Sequence, residues 1–83
     1  MADRAQRKMS AERFVHKYGA GALANLLQDF ADGRSGQAIA DDLGVSRERV
    51  RQWKNTFGRV VTLYQVHGEV EALLDAELPE LTL

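Results

Sequence analysis

Residues 36–53 read GQAIADDLGVSRERVRQW. Ala40 stands one helical turn before Gly44, and Gly44 is followed by Val45 and Ser46. Glycine enters the left-handed backbone region at no steric cost, so Gly44 can end one helix and turn the chain sharply. Ser46 is a good N-cap for the helix that follows. Glu48 falls in that helix's first turn, where a negative charge favours the helix dipole. Position 49 is Arg, so the reciprocal Ser-x-x-Glu capping box is absent. A small residue at 40 lets the two helices cross closely. Val45 plugs the gap under the turn, and Val50, Trp53 and Phe57 share the face that anchors the second helix.

Outward from this hairpin, the chain reads as all-α, a compact bundle of four to five helices. Ser10 caps a first helix running to about Tyr18, with Phe14 and Tyr18 one turn apart, and Gly19 ends it. Leu23, Leu26, Leu27 and Phe30 make one apolar stripe on a second helix over 20–32, with Gly33 as its C-terminal cap. Ser35 caps a third helix to Leu43, whose inner face is Ile39 and Leu43. A fifth helix is expected over 59–78, where Val60, Leu63, Tyr64, His67, Val70, Leu73, Leu74 and Leu78 recur at three- and four-residue steps. Gly68 weakens it and Pro79 stops it. The chain thus divides into a flexible basic arm (1–9), a central domain (10–58) and an acidic amphipathic helix with a short tail (59–83).

Net charge over the 83 residues is −1, but it is unevenly spread. Residues 1–59 carry all eleven Lys and Arg against seven Asp and Glu, a net of +4; residues 60–83 carry five acids and no Lys or Arg. The basic part can meet phosphate, and the acidic part must point away from it. There is no cysteine, which excludes a disulfide framework, a thiolate zinc site and a cysteine nucleophile. No apolar run approaches the roughly 20 residues that span a bilayer, and no apolar segment follows the basic N-terminus. A cytoplasmic, nucleoid-associated protein is the expectation.

The spacing of Ala40, Gly44, Val50 and Trp53 is that of a helix-turn-helix, whose second helix is held out to enter a DNA major groove. The stretch QAIADDLGVSRERVRQW resembles the helix-turn-helix of phage repressors, of the −35-reading domains of sigma factors and of small bacterial transcriptional regulators. The WK after the second helix and the apolar segment beyond it are similar to phage cII-type activators.

At about 100° per residue, Glu48, Arg51, Gln52 and Asn55 point opposite to Val50, Trp53 and Phe57, with Arg47 on the flank. These five are the candidates for reading bases. Arg47 or Arg51 suits a guanine edge, Gln52 or Asn55 an adenine, and Glu48 a cytosine amino group. Arg49, Lys54, Arg34 and Arg59 suit phosphates, as do Ser46 and the backbone N–H groups of Gln37 and Ala38 at a helix start. The basic arm, with Arg4, Arg7 and Lys8, can reach a neighbouring groove or the backbone.

One recognition helix covers only a few base pairs, so a homodimer is expected, with Leu63, His67, Val70, Leu73 and Leu74 as its interface. No cofactor, metal, membrane or small-molecule substrate is expected, and no catalytic constellation is present. His16 and His67 have no second ligand at a metal-binding spacing. Asp41 and Asp42 are adjacent and diverge on a helix, so they cannot form an acid–base dyad. Gly19-Ala20-Gly21 lacks the preceding strand and the lysine of a phosphate loop. Two alternatives share this motif: a protein-interaction module of antitoxin or adaptor type, and an excisionase or transposase fragment.

Overall fold

The computed structural model describes residues 4–60 and 63–77. Five helices run in order: α1 (Arg4–Tyr18), α2 (Ala20–Ala31), α3 (Gly36–Leu43), α4 (Arg47–Phe57) and α5 (Gly68–Glu77). Between α4 and α5 lies a short hairpin, β1 (Gly58–Val60) and β2 (Tyr64–Val66). The fold is mostly helical, and the sheet is a minor addition.

The turns are built as the sequence demands. Gly33 sits past the end of α2 at φ +74°. There the Arg34 N–H donates to the Asp29 carbonyl (3.0 Å) and the Gly33 N–H to Phe30 (3.2 Å), the paired bonds of a left-handed helix stop. Ser35 Oγ accepts from the Ala38 N–H at 3.1 Å and opens α3. Gly44 closes α3 at φ 70°, ψ 35°, and the Val45 N–H folds back to the Ala40 carbonyl at 3.0 Å. Ser46 Oγ then accepts from the Arg49 N–H at 3.1 Å and starts α4.

The core gathers one face of every helix. Ala11 and Phe14 of α1, the stripe Leu23, Leu26, Leu27 and Phe30 of α2, and Ile39 and Ala40 of α3 are buried. Val50, Trp53 and Phe57 of α4 and Val70 of α5 complete it. Val45 and Leu43 pack against this cluster from the turn. An aromatic junction joins α1 to α4: Phe14 meets Trp53 edge-on at 5.0 Å and Phe57 at 6.1 Å, while Tyr18 meets Trp53 at 6.0 Å. Edge-to-face geometry aligns the positive rim of one ring with the negative face of the other.

Two expectations are corrected. Residues 4–9 are not a loose arm but the first turns of α1. Arg4 and Arg7 reach Glu69 at the start of α5, at 3.0 and 3.7 Å, which ties this segment to the body.

Residues 59–66 are not helix but strand and turn. The strands pair antiparallel, Gly58 with Val66, Arg59 with Gln65 and Val60 with Tyr64. Tyr64 and Val66 face inward while Gln65 faces out, so the period here is two. Gly58 makes the strand pairing possible: a Cβ there would collide with the Gln65 carbonyl oxygen and approach Tyr64 Cζ to 2.7 Å. The Tyr64 hydroxyl donates to the Lys54 carbonyl at 2.7 Å, stapling the hairpin to the last turn of α4. Burial pushes the Tyr64 phenol pKa above its ordinary value. The expected contributions of Leu78 and Pro79 lie outside the described residues.

Trp53→Ala should cost about 3–5 kcal/mol of unfolding free energy, as removal of a buried aromatic does. Gly58→Ala should cost about 1–3 kcal/mol, because the methyl group meets backbone as well as a packed ring. Urea denaturation followed by circular dichroism checks both. A Gly58→Ala variant as stable as the parent would refute the close approach.

Candidate nucleic-acid interface

α4 is the site, and its rotation is set from inside. Val50 and Phe57 are sealed in the core and Trp53 is 9% exposed. Glu48, Arg51, Gln52 and Asn55 are consequently exposed on the opposite side, and Arg47 stands exposed at the helix start. Gly36 lies against Arg47: a Cβ there would be 3.4 Å from Arg47 Cγ. The N-terminus of α3 therefore braces the first turn of α4.

Arg51 is not free on this face. Its Nη2 donates to Glu48 Oε2 at 2.6 Å and its Nε to Glu48 Oε1 at 3.1 Å. Hydrogen bonding to Arg51 holds the Glu48 carboxyl below the usual glutamate range, and Glu48 raises the guanidinium pKa in return. Both side chains are solvated, so the pair is weak and readily exchanged for another acceptor.

The residues expected to meet phosphate divide. Arg49 lies over Trp53, 5.5 Å from the ring centroid, and Lys54 lies over Phe30 at 5.9 Å. Both lie along the flanks of α4. Arg34 is bound to Asp42 at 2.5 Å and to Asp29 at 3.3 Å, a clasp between α2 and α3. Asp42 first, then Asp29, raises its pKa above the ordinary arginine value. The Ala38 N–H is taken by Ser35, and the Gln37 side chain donates to Asp41 at 2.9 Å. Ser46 Oγ accepts its cap bond and keeps its own proton for donation. Arg59 is on a strand, not a helix, and its Nε donates across the hairpin to Gln65 at 3.4 Å.

Of the expected interface residues, Val70 is fully buried in its own chain's core and is unavailable to a partner. Leu73 and Leu74 are half-buried against that core, and Leu63 is 72% exposed. His67 is half-buried, and burial followed by the Arg7 charge lowers its pKa, so it favours the neutral form.

Two cations escaped the sequence reading. Arg13 and Lys17, one turn apart on α1, line a groove with Arg49, Gln52 and Trp53 of α4. Their i, i+4 spacing was legible, but nothing in the sequence places α1 beside α4. Among the described residues no group of His, Asp and Glu could hold a metal ion. No described helix is long and apolar enough to cross a membrane.

A trihelical unit with Gly44 at its turn and an outward cationic α4 defines a helix-turn-helix DNA-binding protein. Residues 22–65 match the homeodomain-like domain family, more than half of the 83-residue chain, and the chain belongs to that family. The match runs from α2 through β2 and leaves α1 and α5 outside. No curated protein and no solved structure matches the chain.

An NMR titration of Glu48 should give a midpoint below that of an ordinary glutamate, and Arg51→Ala should return it to the usual range. An unshifted Glu48 in the parent would dissolve the ion pair on the outer face of α4.

Proposed function

We propose that this chain binds duplex DNA at a particular sequence and serves as a transcriptional regulator of the small bacterial and phage type that residues 37–53 resemble. The observation that carries the reading is the orientation of α4. Its apolar side is locked in the core, and Glu48, Arg51, Gln52 and Asn55 form an outward row. A helix presented this way fits a major groove about 12 Å wide.

In that pose Arg51 exchanges Glu48 for the O6 and N7 acceptors of a guanine, a bidentate partner of the same geometry. Glu48, once released, accepts from a cytosine amino group. Gln52 and Asn55 suit adenine, and Arg47 reaches the rim or a further guanine. Arg49 and Lys54 meet phosphates at either flank, with Ser46 as a neutral donor. Two copies related by a two-fold axis would place two such helices about one helical turn of DNA apart. With Val70 buried, the proposed contact between copies falls on Leu63 and the outer edges of Leu73 and Leu74, beside His67.

Selection of bound duplexes from a random pool, followed by fluorescence anisotropy, tests this. A consensus should emerge, with two-fold symmetry if the dimer forms. Arg51→Ala should cost about 1–3 kcal/mol and relax the preference at one base pair. Lys54→Ala should weaken all sequences alike. A pool that yields no consensus, or an Arg51→Ala variant with unaltered preference, would overturn the assignment.

A further inference from the structure

We propose that α1 supplies a second phosphate-binding edge to the DNA interface. Arg13 and Lys17, with Arg49 of α4, hold the sugar–phosphate backbone on one side of the recognition helix. Arg47 and Lys54 lie on the other side, in the groove that α4 forms with α2 and α3. The inference rests on the reading of α4 as a major-groove helix and adds an element that lies outside the homeodomain-like match.

Charge is the first argument. Ten side chains line the α1–α4 groove, and none of them is a carboxylate. The acid of this part of α1, Glu12, lies outside that groove: it borders Lys8 and α5 on one side and Arg13 on the other, and makes no ion pair with Arg13. Among the described residues Arg4, Arg7, Arg34 and Arg51 all have acidic partners, while Arg13, Lys17 and Arg49 have none. Three unneutralised cations along one groove repel one another, and a polyanion laid along it removes that repulsion.

Positioning is the second. Lys17 Nζ lies 5.3 Å from the Tyr18 ring centroid, and the Arg49 guanidinium lies over Trp53. Both charged heads therefore rest on rings fixed in the Phe14 junction. The Trp53 indole N–H makes no hydrogen bond to the described residues and is not sealed from solvent, so this groove-lining side chain retains a donor. An α-helix with its side chains is about 10–12 Å across, close to the width of the major groove. A helix seated there has a phosphate wall on each side, and the two cationic flanks match those two walls.

The test measures anisotropy of the parent protein on its selected duplex and on a scrambled one, between about 50 and 200 mM salt. The Arg13→Ala/Lys17→Ala double variant should lose affinity for both duplexes by the same factor. Its plot of log affinity against log salt should be shallower by about 2, close to 0.9 for each phosphate contact removed. Lys8→Ala, on the far side of the same helix, should leave the slope unchanged. Both replaced side chains are exposed, and a thermal melt confirms that the double variant folds. A parental slope in the double variant overturns the inference, as does a Lys8→Ala slope that falls by half as much as that of the double variant. If Arg51→Ala still alters base preference in either case, the reading of α4 survives and only the role of α1 is lost. If the parent binds no duplex at low salt, both fall together.

Discussion

The edge-on contact of Trp53 with Phe14 fixes how α4 is turned about its own axis, and the rest of the surface depends on that angle. Val50 and Phe57 pull the same side of the helix inward, so the rotation is determined at three points along its length. A helix pinned in this way has no freedom to roll. Its polar row is aimed by the packing beneath it, not by any bond that the row itself makes. The arginines at 49 and 51 therefore owe their directions to Val50, which stands between them, and to Trp53 and Phe57 further along the helix.

Charge is arranged on the same plan. The acidic helix α5 packs on α1 and α2, and there Glu69 pairs with Arg4 and Arg7 of α1. Arg13, Lys17, Arg47, Arg49 and Lys54, which have no acidic partner among the described residues, line the two grooves beside α4. A chain with net charge near zero can still approach a polyanion in one orientation, because its dipole and not its total charge governs the encounter.

Much of the central unit was legible. The glycines at 33 and 44 and the serines at 35 and 46 have one plausible job each in a helix stop or start, and they do that job. The apolar stripe of α2 and the inner face of α4 follow from a 3.6-residue period. The hairpin was hidden because Val60, Leu63, Tyr64, His67 and Val70 also satisfy three- and four-residue steps. A short segment can carry both periods at once, and here the pairing across Gly58 decides between them. The start of α1 was missed for a different reason. Residues 4–9 have little apolar content, and the residue that Arg4 and Arg7 contact, Glu69, lies some sixty positions away. The same limit applies at the site: the outward row of α4 follows from its own sequence, but the capture of Arg34 by Asp42 and the approach of Arg13 to Arg49 are tertiary facts.

The Tyr64 phenol on the Lys54 carbonyl joins two elements that would otherwise loosen separately. The last turn of a helix normally frays, since its carbonyls lack intrahelical donors. Here one of them is held by a strand whose partner strand begins at the helix end. The C-terminal turn of α4 and the β-ribbon should thus exchange their amide hydrogens together, as one cooperative opening unit. Asn55, within that turn, inherits the rigidity of the ribbon behind it.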